Sequence, residues 1–188
     1  MPYVIPYLIS EREPVGHRLP DGEWDPAGAE DCVPCSVLMG LNALHPGIAP
    51  ATKAEAEALR LAAGYTSQGA TSIERIVAAA QKRYGIGAIA IVDDQFRNLW
   101  DALKPGHGAA IIGRPANLPA GHPIRQYLKT FTSFHCTYVQ RRSSLTKVWF
   151  MDPMAPAGPG FQQGYWVRQA DLSKFYVGAG AIFGIAQQ

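Results

Sequence analysis

The sequence predicts an α+β fold, with a helical front half packed against an antiparallel β-sheet and a cleft between the two. Two observations carry this expectation. Apolar residues recur at helical spacing from Cys32 to about residue 104, and from about residue 108 they fall in short β-branched or aromatic runs between turn residues. Helices first and strands afterwards is the order of an α+β domain. At 188 residues the chain reads as one domain, 1–188, with a helical lobe over about 32–104 and a β lobe over about 108–188. That length buries a core without disulfide staples.

The elements follow in order. Pro14, Gly16, Pro20, Gly22, Pro26 and Gly28 make residues 11–31 an ordered loop that feeds the first helix. Pro34 fits a first helical turn, where its missing N–H costs nothing. Val37, Leu38, Leu41 and Leu44 give that helix one apolar face, and His45-Pro46-Gly47 ends it. Thr52 with Glu55, and Thr71 with Glu74, have capping-box spacing and open two further helices. A strand is expected over Ala88–Val92. Asp93 or Asp94 then caps a fourth helix, whose Phe96, Leu99, Trp100 and Leu103 share a face and which stops at Pro105-Gly106. Strands are expected over Ala109–Gly113, Cys136–Gln140, Val148–Met151, Tyr165–Arg168 and Ala181–Ile185. Trp149, Phe150, Tyr165 and Trp166 read as core.

Composition narrows the function classes. Hydrophobic residues are 47% and charged residues 17% of the chain, with a net charge of +2. So small and dispersed a charge argues against a nucleic-acid partner or an anionic membrane surface. The basic pair Arg141-Arg142 falls in a hairpin turn and is expected to keep it solvated. Three cysteines are odd in number and too few for a disulfide scaffold. The first residues lack the basic leader, apolar run and cleavage site of a signal peptide, and no apolar stretch approaches the roughly 18 residues of a membrane span. Synthesis in a cytoplasm is expected.

The chemistry gathers at Cys32, in Asp31-Cys32-Val33-Pro34-Cys35, where a Pro- and Gly-rich loop enters an apolar helix. Free N–H groups and a partial positive charge at a first helical turn favour thiolate. About a hundred residues on, His135 heads one strand and Asp152 closes the next, joined by the turn at Ser143–Thr146. Antiparallel neighbours so joined place a carboxylate beside an imidazole, giving nucleophile, base and orienter in order. Cys35 stands as a rival nucleophile; its other reading is a small apolar residue packing the first turn. Cys136 follows His135 on a strand, faces the opposite way and is expected in the core. Cys32-Val33-Pro34-Cys35 has thioredoxin-type dithiol spacing, but the polar loop before it replaces the buried strand that motif follows. A zinc site from Cys32, Cys35, His135 and Cys136 is disfavoured by the opposed directions of His135 and Cys136, so neither metal nor cofactor is expected. His17, His45, His107 and His122 lie in loops or at a helix end and read as solvated or capping residues.

Asp31-Cys32-Val33-Pro34 followed by Leu38, Met39 and Leu41 resembles the helix-opening motif of the bacteriocin-processing (double-glycine leader) peptidases, within the papain-like cysteine peptidases. The resemblance continues through Gly69-Ala70-Thr71-Ser72, similar to a Gly-x-Ser/Thr turn, and His135-Cys136-Thr137-Tyr138-Val139, similar to a His-led strand. It closes at Val148-Trp149-Phe150-Met151-Asp152-Pro153, similar to a strand ending in Asp-Pro, and so spans residues 31–153.

It implies a papain-like fold and a cysteine hydrolase that cleaves peptide or amide bonds through an acyl-enzyme on Cys32, with His135 as base and then acid and Asp152 orienting it. Family analogy further implies a peptide substrate, peptidoglycan cross-links included, in bacterial or phage wall lysis. A virion or release to the wall would then bring the protein to its target. One element departs from the pattern. The family's Gln, five to eight residues before the nucleophile, has no counterpart, and Trp24 and Asp25 stand in that window as oxyanion candidates. The Trp24 indole N–H or the Cys32 backbone N–H could donate to an oxyanion, whereas an ionised Asp25 would repel one. The alternative expectation is therefore a weak or inactive papain-like module that serves as a binding or structural component of an assembly such as a phage virion.

Overall fold

The computed structural model describes residues 31–65, 71–86, 90–92, 95–142, 144–155 and 164–184. Among them six strands form one sheet: β1 (Ala90–Val92), β2 (Gly108–Gly113), β3 (His135–Gln140), β4 (Lys147–Met151), β5 (Tyr165–Arg168) and β6 (Tyr176–Phe183). Their order across the sheet is β1-β6-β2-β3-β4-β5, and every pairing is antiparallel.

Helices cover both faces. On one, α1 (Cys32–Leu44) packs on β2, β3 and β6, with α2 (Lys53–Ala62) and α3 (Ile73–Tyr84) behind it. Leu38, Met39 and Leu41 of α1, Leu59 of α2 and Ile76 of α3 bury themselves there with Tyr138 and Phe183. Each such side chain contributes about 1.5–3 kcal/mol by leaving water. Gly40 is what lets α1 approach this closely: a Cβ at that position would stand 2.2 Å from the Phe183 ring. On the other face, α4 (Phe96–Ala102), α5 (Pro123–Tyr127) and α6 (Gln169–Phe175) bring Leu99, Ile124, Leu172 and Phe175 against Ile111, Val139, Phe150 and Ile182. The helical half thus divides, with α1–α3 on one side of the sheet and α4 on the other.

Local chemistry sets the helix ends. Thr52 Oγ1 accepts from the Glu55 N–H at 3.2 Å, as its spacing predicts. The Glu55 carboxylate turns instead to Arg83 and Tyr84 on α3. The second cap lies one residue later than expected: Ser72, not Thr71, is the N-cap of α3, and its Oγ accepts from the Arg75 N–H at 3.3 Å. Gly85 ends α3 in the left-handed conformation at φ 63°. Gln95 precedes α4, and the expected cap at Asp93 or Asp94 lies outside the described residues, as do Ala88, Ser143 and Ile185.

Other departures are tertiary in origin. β6 begins five residues before the predicted Ala181, and α5 and α6 were not predicted. Arg141 is no solvating residue: its guanidinium donates to the carbonyls of Trp100 (3.2 Å) and Leu103 (2.8 Å) at the end of α4 and stacks 4.6 Å over the Trp100 ring. Arg142 lies 4.2 Å over Trp149. Of the four strand aromatics, Phe150 is fully buried, whereas Trp166 is 44% exposed. His122, read as a solvated or capping residue, stands at the N-cap position of α5 without a side-chain cap bond and is buried edge-on against Phe150 and Tyr165.

Candidate active site

Cys32 is the first residue of α1 and is partly exposed. Asp31 is the N-cap, and its carbonyl accepts from the Cys35 N–H at 2.9 Å. Its carboxylate, fully buried, makes no capping bond to α1. It turns to α2 instead, where it pairs with Lys53 and lies 3.0 Å from Arg60 Nε. Burial pushes the Asp31 carboxyl up, and the two cations pull it back toward ionisation. The consequence for the site is positional: the α1 end beside the sulfur is not closed by its own cap carboxylate.

His135 opens β3, and Asp152 follows the last residue of β4. The β3–β4 register pairs Tyr138 with Met151. Continued by one residue, it sets Asp152 opposite Thr137, two residues and therefore one face from His135. The same parity puts His135 on the face of Val139, away from α1. Only at the strand's end can the ring reach back to the head of α1, and that is where it stands.

His135 Nε2 and Asp152 Oδ1 are 2.6 Å apart, and both side chains are about 1% exposed. Nε2 is thereby committed to the carboxylate, and His135 lines the same cleft as Cys32, whose side chain adds to the electrostatics of the imidazole. Burial opposes a charge on His135, but the Asp152 carboxylate and the Cys32 contact outweigh it and raise the imidazole well above its ordinary value. The edge of Phe131 packs on the ring, centroids 5.8 Å apart.

Asp152 is held from two further sides. The Met154 N–H donates to Oδ1 at 2.8 Å, and the Tyr127 hydroxyl donates to Oδ2 at 2.7 Å. Burial together with the Asp152 carboxylate pushes the phenols of Tyr127 and Tyr165 up, so both stay protonated and Tyr127 keeps the proton it donates. Sequence reasoning missed Tyr127. It lies on the five-residue helix α5, in a stretch with no periodic signal.

The sulfur opens on a cleft of about 410 Å³ lined by Val33, Thr71, Ile112, Phe131, Phe134 and Met154, together with Ser133, His135 and Cys136. Cys35, the rival thiol, is fully buried among Leu38, Met39 and Tyr138 and is not part of that lining. Cys136 is buried in the same core. All three cysteines are free thiols, and no group of three or more His, Cys, Asp or Glu side chains among the described residues could hold a metal. No described helix is long and apolar enough to cross a membrane. Trp24 and Asp25 lie outside the described residues.

No protein-family model and no curated protein matches the chain. Among solved structures it is similar to a candidate C39-like peptidase from Bacillus anthracis, with a TM-score of 0.59 and 12% sequence identity over 97% of this chain and 96% of that one. At that identity the likeness speaks for the fold alone, which is α+β and papain-like.

Proposed function

We propose that this chain is a cysteine hydrolase that cleaves peptide bonds, with Cys32 as nucleophile. The observation that carries the reading is His135, bonded to a buried carboxylate, lining one cleft with the Cys32 thiol at the head of a helix. An imidazolium beside the sulfur is the positive charge a thiolate needs. Cys32 Sγ attacks the carbonyl carbon of the scissile bond. His135 Nδ1 gives its proton to the leaving amine, which departs and leaves a thioester on Cys32. His135 then takes a proton from water, whose oxygen attacks the thioester, and the acid product leaves as the thiolate and imidazolium are restored. Asp152 orients the ring throughout. The backbone N–H of Cys32, at a helix end free of a capping carboxylate, supports an oxyanion.

The fold's likeness to a C39-like peptidase and the cleft beside Cys32 support a peptide substrate. Analogy between folds extends the proposal to cross-linking peptides of the bacterial wall and to a wall- or virion-associated setting. The test is incubation of the protein with a mixed peptide library and with purified wall sacculi, reading new amino termini by mass spectrometry. New termini that vanish in Cys32→Ala and persist in Cys35→Ala are expected. Cleavage lost only in Cys35→Ala would transfer the role to the other thiol. No cleavage of either material, with an unreactive Cys32, would favour a non-catalytic module in an assembly, a reading that the missing Gln supports.

A further inference from the structure

The cleft holds a hydroxyl that no described residue bonds. Thr71 immediately precedes the N-cap of α3, and because Ser72 takes the capping role, the Thr71 side chain is released from it. Thr71 is 5% exposed, its Oγ1 is buried, and that oxygen has no hydrogen-bond partner among the described residues. It lines the same cleft as Cys32 and His135, among the apolar side chains of Val33, Ile112, Phe131 and Met154.

A buried unpaired hydroxyl is costly, and valine would fill the same space without that cost. Local rules are broken in this way where function compensates. A hydroxyl both donates and accepts, and a peptide in the cleft offers main-chain carbonyl oxygens whatever its sequence.

We propose that Thr71 is a substrate-binding residue whose hydroxyl turns from its buried position about χ1 to donate a hydrogen bond to a main-chain carbonyl oxygen of a peptide lying in the cleft beside Cys32. The proposal rests on the peptidase reading above and deepens it. The apolar lining around Thr71 takes an apolar side chain of that peptide, and the hydroxyl fixes its backbone.

The test separates this inference from the identity of the nucleophile. Binding of the blocked peptide acetyl-Ala-Phe-Ala-amide is titrated by NMR into Cys32→Ala protein, in which no chemistry occurs, and then into the same protein with Thr71→Val or Thr71→Ser. Alkylation of Cys32 in the wild type tests the nucleophile separately. Thr71→Val should weaken the peptide about fivefold to tenfold, the worth of one neutral hydrogen bond. Its urea midpoint should equal or exceed that of its parent, because the hydroxyl has no partner to lose. Thr71→Ser should restore most of the binding. Unchanged affinity in Thr71→Val, a cleft that takes no blocked peptide at millimolar concentration, or a lowered urea midpoint revealing an internal partner would each overturn the proposal.

Discussion

Replacing Asp152 by Asn, in protein that also carries Cys32→Ala so that no thiol titrates beside the ring, isolates the His135–Asp152 pair. Burial alone would lower His135, and the carboxylate at 2.6 Å raises it instead. A histidine raised on folding contributes stability that is fully present below its unfolded value, about pH 6.5, and lost as pH rises through the folded value. In the Asn protein burial dominates, His135 falls below its ordinary value, and stability is lost as pH drops. The two proteins should therefore differ most in acid.

Both partners are about 1% exposed, so solvent screens them little. Breaking such a pair costs about 3–5 kcal/mol below about pH 6. Above the folded value only hydrogen bonds differ, about 1–2 kcal/mol. With a urea slope of about 2 kcal/mol/M, the midpoints should lie about 1.5–2.5 M apart at pH ~5.5 and draw together as pH rises above the unfolded value. A separation that does not change with pH would refute the reasoning, because His135 would then gain no charge from its partner.

Other perturbations test neighbouring parts of the account. Tyr127→Phe removes the donor to Asp152 Oδ2 and keeps the ring, so about 1–2 kcal/mol of stability and part of the thiol's reactivity at pH ~6 should be lost, read by urea melts and alkylation. Asp31→Ala leaves Lys53 and Arg60 buried without their anion, an expected loss of about 3–5 kcal/mol and a large drop in Tm. A drop below about 1 kcal/mol would mean that the two cations find water. Gly40→Ala drives a Cβ into the Phe183 ring, and calorimetry should show about 1–3 kcal/mol of destabilisation. Ser72→Ala should cost about 1 kcal/mol through the α3 cap.

The parts of the fold that local rules dictate were legible in the sequence. A Pro in the first turn and a clear apolar face announced α1, and short β-branched runs announced β2 to β5. The early half of β6 was hidden because Gly178, Ala179 and Gly180 carry no β-branched or aromatic signal. Ala179 and Gly180 pair with Ile112 and Ile111 of β2, Gly180 also meets Val92 of β1 and fits against Leu99 and Ile111, and Gly178 lies at a break in the β2–β6 register. At the site, chain order pointed to Cys32, His135 and Asp152, and parity along β3 and β4 explains how two of them meet. Tyr127 carries no signal at its own position, since its value lies in an oxygen 25 residues away. Thr71 was misread because two adjacent hydroxyls, Thr71 and Ser72, both precede Glu74, and spacing alone chose the wrong one. Lys53 and Arg60 look like surface charges of an amphipathic helix, and only the inward-turned Asp31 draws them inside.

The central claim is that His135 keeps Cys32 reactive, and the pH dependence of Cys32 alkylation by iodoacetamide tests it most directly. Rapid alkylation at pH ~6 is predicted for the wild type, with the profile moving in His135→Ala to that of an ordinary thiol, near pH 8.5. A wild type whose alkylation rises only near pH 8.5, unchanged by His135→Ala, would contradict the account.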